Sequence, residues 1–446
     1  MEVILSHVCS EWRNTAINLS TLWTAFKFDT HLHVPNPAKK LEEYLCRSGT
    51  QLLELYFRFS SSDYVNNDDH DFHVSYDSEL FARDFVMVET AIAHAYRWHR
   101  FTLFADESIP TSDFIDHLRK IYVPNLEYLA ICLSTPGYDG SDYGNINPLI
   151  LTGGAPRLYT VRIDTITPFH SLPPLSNITT LAIQGTPNDA VCFDFQSFYL
   201  ILTIPTLTNL SLEAWKCLYY NWADNLLRIK MPCLTTLRIS QDSDMVAMLT
   251  FLNAPLLETV VLHDVDLKSV NTGQDISTFI RLDTIALLDC HYHFGHLDQA
   301  GVNRVDMTLN TLACHATHVI VSSHDCPSFI ETGSNLLDFN RYRWPRLLRL
   351  TLDLPTFSDP RSYMRNFERS PHPITVRVVE TVFDQWARQS PGLTTLDEVC
   401  TLETMKVGDP MMDEPWPASG GLFPEDGNLE NCFIWGETLR ARGPEA

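Results

Sequence analysis

Apolar residues recur along this chain in the order L-x-x-L-x-I, with polar residues in most of the gaps. The clearest copy runs from Pro232 to Ile239, where Leu234, Leu237 and Ile239 are apolar and Thr235, Thr236 and Arg238 are not. Strict alternation at its end is the period of a half-buried strand. The leading proline is read as the first strand residue, a place that needs no ladder N–H. The same phrase appears at Pro124–Ile131, Pro156–Ile163, Pro205–Leu212, Pro255–Leu262 and Pro345–Leu352, and without proline at Ile178–Ile183 and Leu282–Leu287. The pattern predicts strands over Leu126–Ile131, Leu158–Ile163, Ile178–Ile183, Leu207–Leu212, Leu234–Ile239, Leu257–Leu262, Leu282–Leu287 and Leu347–Leu352, side by side in one parallel sheet.

Spacing identifies the kind of repeat. Successive copies beginning at 178, 207, 234, 257 and 282 are separated by 29, 27, 23 and 25 residues. Periods of roughly 20–29 with one strand each resemble the leucine-rich-repeat family. That resemblance implies an α/β solenoid whose parallel strands line a concave face. At the family's Asn/Cys position only the copy Leu282–Cys290 has Cys; Ser134, Ile166, Thr186, Trp215, Asp242 and Val265 stand there in others.

Between the phrases, helical spacing predicts helices over Glu2–Leu19, Pro35–Arg47, Glu79–Arg97, Asp113–Tyr122, Leu218–Ile229, Asp244–Leu252 and Thr375–Gln389. The Glu79–Arg97 helix has Leu80, Phe81, Phe85, Val88, Ile92 and Ala95 on one stripe. Strands are also expected at Leu52–Phe57, Trp98–Leu103 and His318–Ser322, with Leu393–Leu396 a further copy. Ser60–Ser78 and Ser134–Pro148 read as polar loops, and the Pro/Gly-rich stretch from Asp409 as a loosely packed tail. The expected division is 1–30, then a repeat domain over 31–408, then a tail over 409–446.

Composition narrows the function classes. The net charge of −23 disfavours nucleic acid and anionic membrane surfaces as partners. No apolar run reaches the length of a membrane span, and Met1–Leu5 lacks the features of a secretory leader. Eleven scattered cysteines without a C-x-x-C pair suit a reducing compartment, so a cytoplasmic or nuclear location is expected.

Catalytic and cofactor signatures are missing. The chain has no phosphate-cradling glycine loop and no G-x-S-x-G elbow. Cys290, His291, His293 and His296 form the one metal-like cluster, but Cys290 already fills a structural position in its repeat. Asp68, Asp69, His70 and Asp71 read as a solvated loop, and Asp139–Ile150 fails the carboxylate pattern of a calcium loop. No catalytic, cofactor-binding or metal-binding residue is therefore expected.

Two columns of the repeat are expected to point out of the concave face. One holds Thr160, Thr180, Thr236, Thr259, Thr284 and Thr395; the other holds Ala130, Arg162, Ala182, Ser211, Arg238, Val261, Ala286 and Thr351. Strand propensity alone explains threonines on an exposed strand, while short side chains would also leave room for a partner. Arg162 and Arg238, ~14 Å apart at the usual strand spacing, would grip two acidic groups or else pair with local carboxylates such as Asp164 and Asp242. Thr160, Arg162, Thr180, Ser211, Thr236, Arg238, Thr259 and Thr284 are the candidate partner-binding residues.

The N-terminal stretch supplies a second resemblance. Leu5, Val8, Cys9, Trp12, Arg13 and Ala16, followed by Leu22 and Trp23, resemble the second half of an F-box in its fungal form. The family's first helix should precede Leu5, where four residues stand, so 1–30 is expected to be a partial F-box. The resemblance implies a substrate-recruiting subunit of a cullin-RING ubiquitin ligase, with no chemistry of its own. Leu5, Val8, Cys9, Trp12, Leu22 and Trp23 would meet a Skp-type adaptor, and the repeats would hold a target protein. The alternative is a non-catalytic repeat scaffold that has lost ligase docking.

Overall fold

The structure is a computed structural model that describes residues 9–30, 36–59, 78–105, 112–133, 149–164, 171–184, 199, 201–213, 229–241, 246, 249, 252–265, 279–290, 314–322, 346–353, 373–380, 383–384 and 400–406. The chain forms two compact units that divide at Leu200/Ile201. The first is α/β; among the described residues of the second the named elements are strands, and in both units the repeated phrase supplies parallel strands. Among the described residues no helix is long and apolar enough to cross a membrane.

In the first unit the described strands run in sequence order: β1 (Ala25–Asp29), β2 (Leu53–Phe59), β3 (Trp98–Ala105), β4 (Tyr128–Leu133), β5 (Thr160–Asp164) and β6 (Thr180–Gln184). Each neighbouring pair from β1 to β6 is parallel. Its helices are α1 (Ser10–Asn18), α2 (Pro37–Arg47), α3 (Ser78–Ile92) and α4 (Ser112–Leu118). One sheet face carries an aromatic core. Trp98 stacks on Phe101 at 4.2 Å, Phe57 lies 6.0 Å from both Phe26 and Phe101, and Phe59 stacks on Phe114 of α4 at 5.5 Å.

The second unit repeats the plan with β7 (Asn209–Glu213), β9 (Thr236–Ser240), β11 (Thr259–His263), β12 (Thr284–Leu288), β13 (His318–Ser322), β14 (Arg349–Asp353), β15 (Ile374–Val379) and β16 (Cys400–Met405). Thr236, Thr259, Thr284, His318, Arg349 and Thr375 lie in one register row. The inward row is aliphatic: Leu237, Val260, Ile285 and Val319 are fully buried. A separate parallel pair, β8 (Ile229–Lys230) with β10 (Leu252–Asn253), lies ahead of two of the phrases.

Each of the eight strands predicted from the phrase begins two residues later than the apolar pattern predicts, because the first apolar residue of the phrase closes a tight turn. Leu126, Leu158, Leu207, Leu234 and Leu257 donate their N–H to Val123, Ala155, Ile204, Met231 and Ala254 O, three residues back. The proline is therefore the second residue of this turn rather than the first strand residue. Its fixed φ suits that position, and its missing N–H has no partner to satisfy there. The exits are also alike: Gln241, Asp264 and Asp289, each just past its strand, adopt positive φ of 57°, 52° and 48°. Asn and Asp side chains tolerate that region better than most.

Other expectations change. The Thr375–Gln389 stretch opens as strand β15, where Ile374, Val376 and Val378 are buried in alternation; β-branched residues favour this pleated surface. Ile229 and Leu252, expected at helix ends, are strand residues; the rest of 218–228 lies outside the described residues, as do 242–245, most of 247–251, and 391–399. The apolar cluster at Leu22–Phe26 leads into β1, so the sheet starts inside the stretch assigned to 1–30. In β2 it is Leu53 rather than Leu52 that points inward, the latter being 40% exposed. Among the described side chains of α3 the buried stripe is Asp84, Met87, Val88 and Ala91, with Phe85 only half-buried; the side chains of Leu80 and Phe81 lie outside the described ones. The two polar loops and the tail lie outside the described residues.

Candidate protein-interaction surfaces

The N-terminal helix α1 is nine residues long, near the limit of what is stable without packing. Cys9 caps it: the Trp12 N–H points at Cys9 Sγ, 3.5 Å away, and the Arg13 N–H donates to Cys9 O. Among its residues only Ala16 is buried. Trp12 is 53% exposed, and Ile17 and Leu19 are exposed as well. The short helical turn after it works differently. Trp23 is 3% exposed, donates its indole N–H to Ala16 O at 2.7 Å, and meets the Tyr44 ring of α2 edge-on at 5.1 Å. The Arg47 guanidinium lies 4.3 Å over the Trp23 ring. The two tryptophans thus divide: Trp23 fastens the segment to α2, and Trp12 faces outward. Cys9 is exposed and Leu22 half-buried, while Leu5 and Val8 lie outside the described residues.

The sheet face opposite the core carries the other candidates. In the first unit Thr160 is half-exposed and Thr180 is buried; in the second Thr236, Thr259 and Thr284 are half-exposed and in one row. The second column is not exposed as expected. Arg162 is 3%, Ser211 1% and Arg238 8% exposed, and Ala130, Ala286 and Thr351 are fully buried. The cause lies in the register. Arg162 is flanked by Ala130 and Ala182, and Arg238 by Ser211 and Val261, so small neighbours let each long stem lie flat on the sheet. Arg162 Nη2 donates to Gln184 Oε1 at 3.0 Å, and Arg238 Nε to Ser240 Oγ at 2.9 Å. Asp242 lies outside the described residues. Likewise His318 Nε2 sits 3.0 Å from Thr351 Oγ1 and covers it.

Cys290 is buried, and its thiol donates to Leu262 O at 3.3 Å, stitching its loop to the preceding strand. Burial pushes that thiol up to about 12. His291, His293 and His296 lie outside the described residues. Among the described residues no three His, Cys, Asp or Glu side chains converge as a metal site would require.

The face of the first unit also holds groups that sequence reasoning passed over. Lys27 Nζ lies 5.4 Å from the Tyr56 ring centroid, and the Arg100 guanidinium 4.6 Å from that of Tyr128. Burial pushes the Tyr56 phenol up to about 12 and raises that of Tyr128. His99, Glu127 and Tyr159 occupy the first x of successive L-x-x-L phrases, a column whose chemistry was legible but overshadowed by the threonines beside it.

In comparisons with known proteins, no family model matches this chain and no curated protein matches it.

Proposed function

We propose that this chain is the substrate-recognition subunit of an SCF-type cullin-RING ubiquitin ligase, with the Ser10–Trp23 segment docking a Skp-type adaptor and the sheet face receiving a target protein. The observation that carries this reading is the split between the two tryptophans. A short helix that buries only Ala16 and leaves Trp12, Ile17 and Leu19 in water is an unfinished surface; aromatic and aliphatic groups exposed together on one element mark interaction sites. Trp23 and Arg47 hold that helix against α2, so docking would require little ordering.

In this reading the protein performs no reaction itself and recruits both partners through surfaces. The half-exposed row Thr236, Thr259 and Thr284 is the part of the candidate target face open to contact, with Ser211 and Arg238 buried in the neighbouring column. The test is capture of a Skp-type adaptor by the protein expressed from its natural translation start. Wild type binds, and Trp12→Ala weakens binding roughly tenfold or more without loss of the folded state. Failure of wild type to capture the adaptor, or full binding by Trp12→Ala, overturns the docking role and leaves the plain scaffold.

A further inference from the structure

The first x positions of the first unit form a chain of side chains across consecutive phrases. The Glu127 N–H donates to His99 O at 2.9 Å, and the Tyr159 and Thr160 N–H groups both reach Glu127 O at 3.2 Å, so the backbone sets these residues in a row. The register between β2 and β3 slips at this point: Leu53 pairs with Trp98 but Glu54 with Arg100, which leaves His99 as an extra residue. That bulge places both His99 and Arg100 on the open face between buried Trp98 and Phe101. Bulges re-aim side chains and gather near functional sites.

Here the bulge aims one imidazole at two carboxylates. His99 Nε2 is 3.1 Å from Glu127 Oε2, and His99 Nδ1 is 3.8 Å from Glu54 Oε1. Glu127 Oε2 also accepts from the Tyr159 hydroxyl at 3.2 Å. Glu54 Oε2 is buried without a hydrogen-bond donor. A neutral imidazole has one N–H and one lone pair, so it can serve only one of these carboxylates. The other then faces a lone pair across a half-buried gap. A proton on Glu54 Oε1 lets that carboxyl donate to the lone pair and removes the repulsion.

We propose that a proton on the Glu54 carboxyl closes a pH-operated clasp of Glu54, His99 and Glu127 across β2, β3 and the start of β4. The clasp is closed while the proton is present and loosens when it leaves. The other charged or titratable groups facing it are Arg100 on β3, Tyr128 on β4 and Tyr159 ahead of β5; Ala25, the β1 partner of Glu54, adds no charge. Burial pushes the Glu54 carboxyl above its ordinary range, against the smaller opposing pull of Arg100 and His99. A raised folded value means that the stabilising contribution is complete below the ordinary carboxylate range and is lost as pH rises through the folded value.

The experiment follows amide-exchange protection of β2, β3 and β4 in the full chain from about pH 4, below the ordinary glutamate value, to about pH 8, corrected for intrinsic exchange, with thermal unfolding alongside. Wild type is expected to lose protection about tenfold toward the alkaline end, with amides of β11 and β12 as an unaffected internal control. His99→Gln and Glu54→Gln should each flatten that dependence, and either variant suffices if the other fails to fold. A wild-type profile flat with pH, or unchanged pH dependence in a folded variant, overturns the clasp.

Discussion

The two units use one phrase with different fillings. Behind β1, β2 and β3 the first unit packs rings, Trp23, Tyr44, Phe26, Phe57, Phe59, Trp98, Phe101 and Phe114, before β4, β5 and β6 turn to Leu, Ile and Val. The second packs Leu, Ile and Val in the same inward positions. The aliphatic copies are nearly interchangeable, with five-residue strands in constant register at β9, β11, β12, β13 and β14. The aromatic unit needs individual fittings. Arg97, 2% exposed, donates to Ser48 Oγ and to the carbonyls of Leu45 and Gly49, so its guanidinium caps the C-terminal end of α2. Large rings fill space in few ways, so the surrounding backbone must bend to them, whereas branched aliphatics stack on one template. The bulge at His99 and the exposed groups it gathers belong to the unit with the aromatic core.

The comparison breaks first at its two cores. Trp98→Ala should cost ~3–5 kcal/mol and Leu237→Ala ~2–5 kcal/mol, measured by chemical denaturation, because both side chains are fully buried. Thr236→Ala, one residue from Leu237 but on the other face, should cost under ~1 kcal/mol. Equal losses at Leu237 and Thr236 would mean that the inward and outward rows are misassigned.

Next comes a fitting specific to the first unit. A Cβ added at Gly153 would stand 2.8 Å from the Ile121 carbonyl carbon and oxygen, both backbone atoms that cannot rotate away. Gly153→Ala is expected to cost ~1–3 kcal/mol; a neutral result would show that this loop has slack.

A smaller effect separates the units by titration. The Tyr56 phenol, pushed by burial to about 12, keeps its proton where an unfolded tyrosine loses it. Its contribution to stability is therefore complete below the ordinary tyrosine value and fades as pH climbs toward about 12. Alkaline absorbance titration should show a late phenol step that Tyr56→Phe removes. In the second unit, Cys290 should resist alkylation at neutral pH until the chain unfolds, since its buried thiol also sits near 12.

Much of the fold was legible because alternation and spacing act locally. The strands from β4 to β14 that carry the phrase all lie on their predicted stretches, each starting two residues in, and His318–Ser322 matches to the residue. What the pattern could not give was the turn: Leu234 reads equally well as strand or as turn residue, and only its bond to Met231 O decides. Valines at 376, 378 and 379 satisfy both a helical stripe and an alternation, and β15 shows which won. Alternation also says which face a side chain leaves from, but not whether it stands or lies down. Arg162 and Arg238 leave from the open face and are nevertheless buried, because Ala130, Ala182 and Ser211 beside them are short. The His99 row was missed because a bulge depends on the partner strand, which one segment cannot reveal.

The smallest expected change in stability concerns the most exposed group. Trp12→Ala should alter folding by no more than ~0.5 kcal/mol, since its ring makes little use of the fold, whereas Trp23→Ala removes a buried anchor and should cost ~3–5 kcal/mol. The proposed division of labour, with docking at α1 and target contact on the open sheet face, then rests on where a Skp-type adaptor touches the protein. Amide hydrogen exchange of the chain with and without that adaptor maps the contact directly. The proposal predicts new protection at Ser10–Leu22, absent in Trp12→Ala, and none along β9, β11 and β12. Protection on those strands, or no change at Ser10–Leu22, would contradict it.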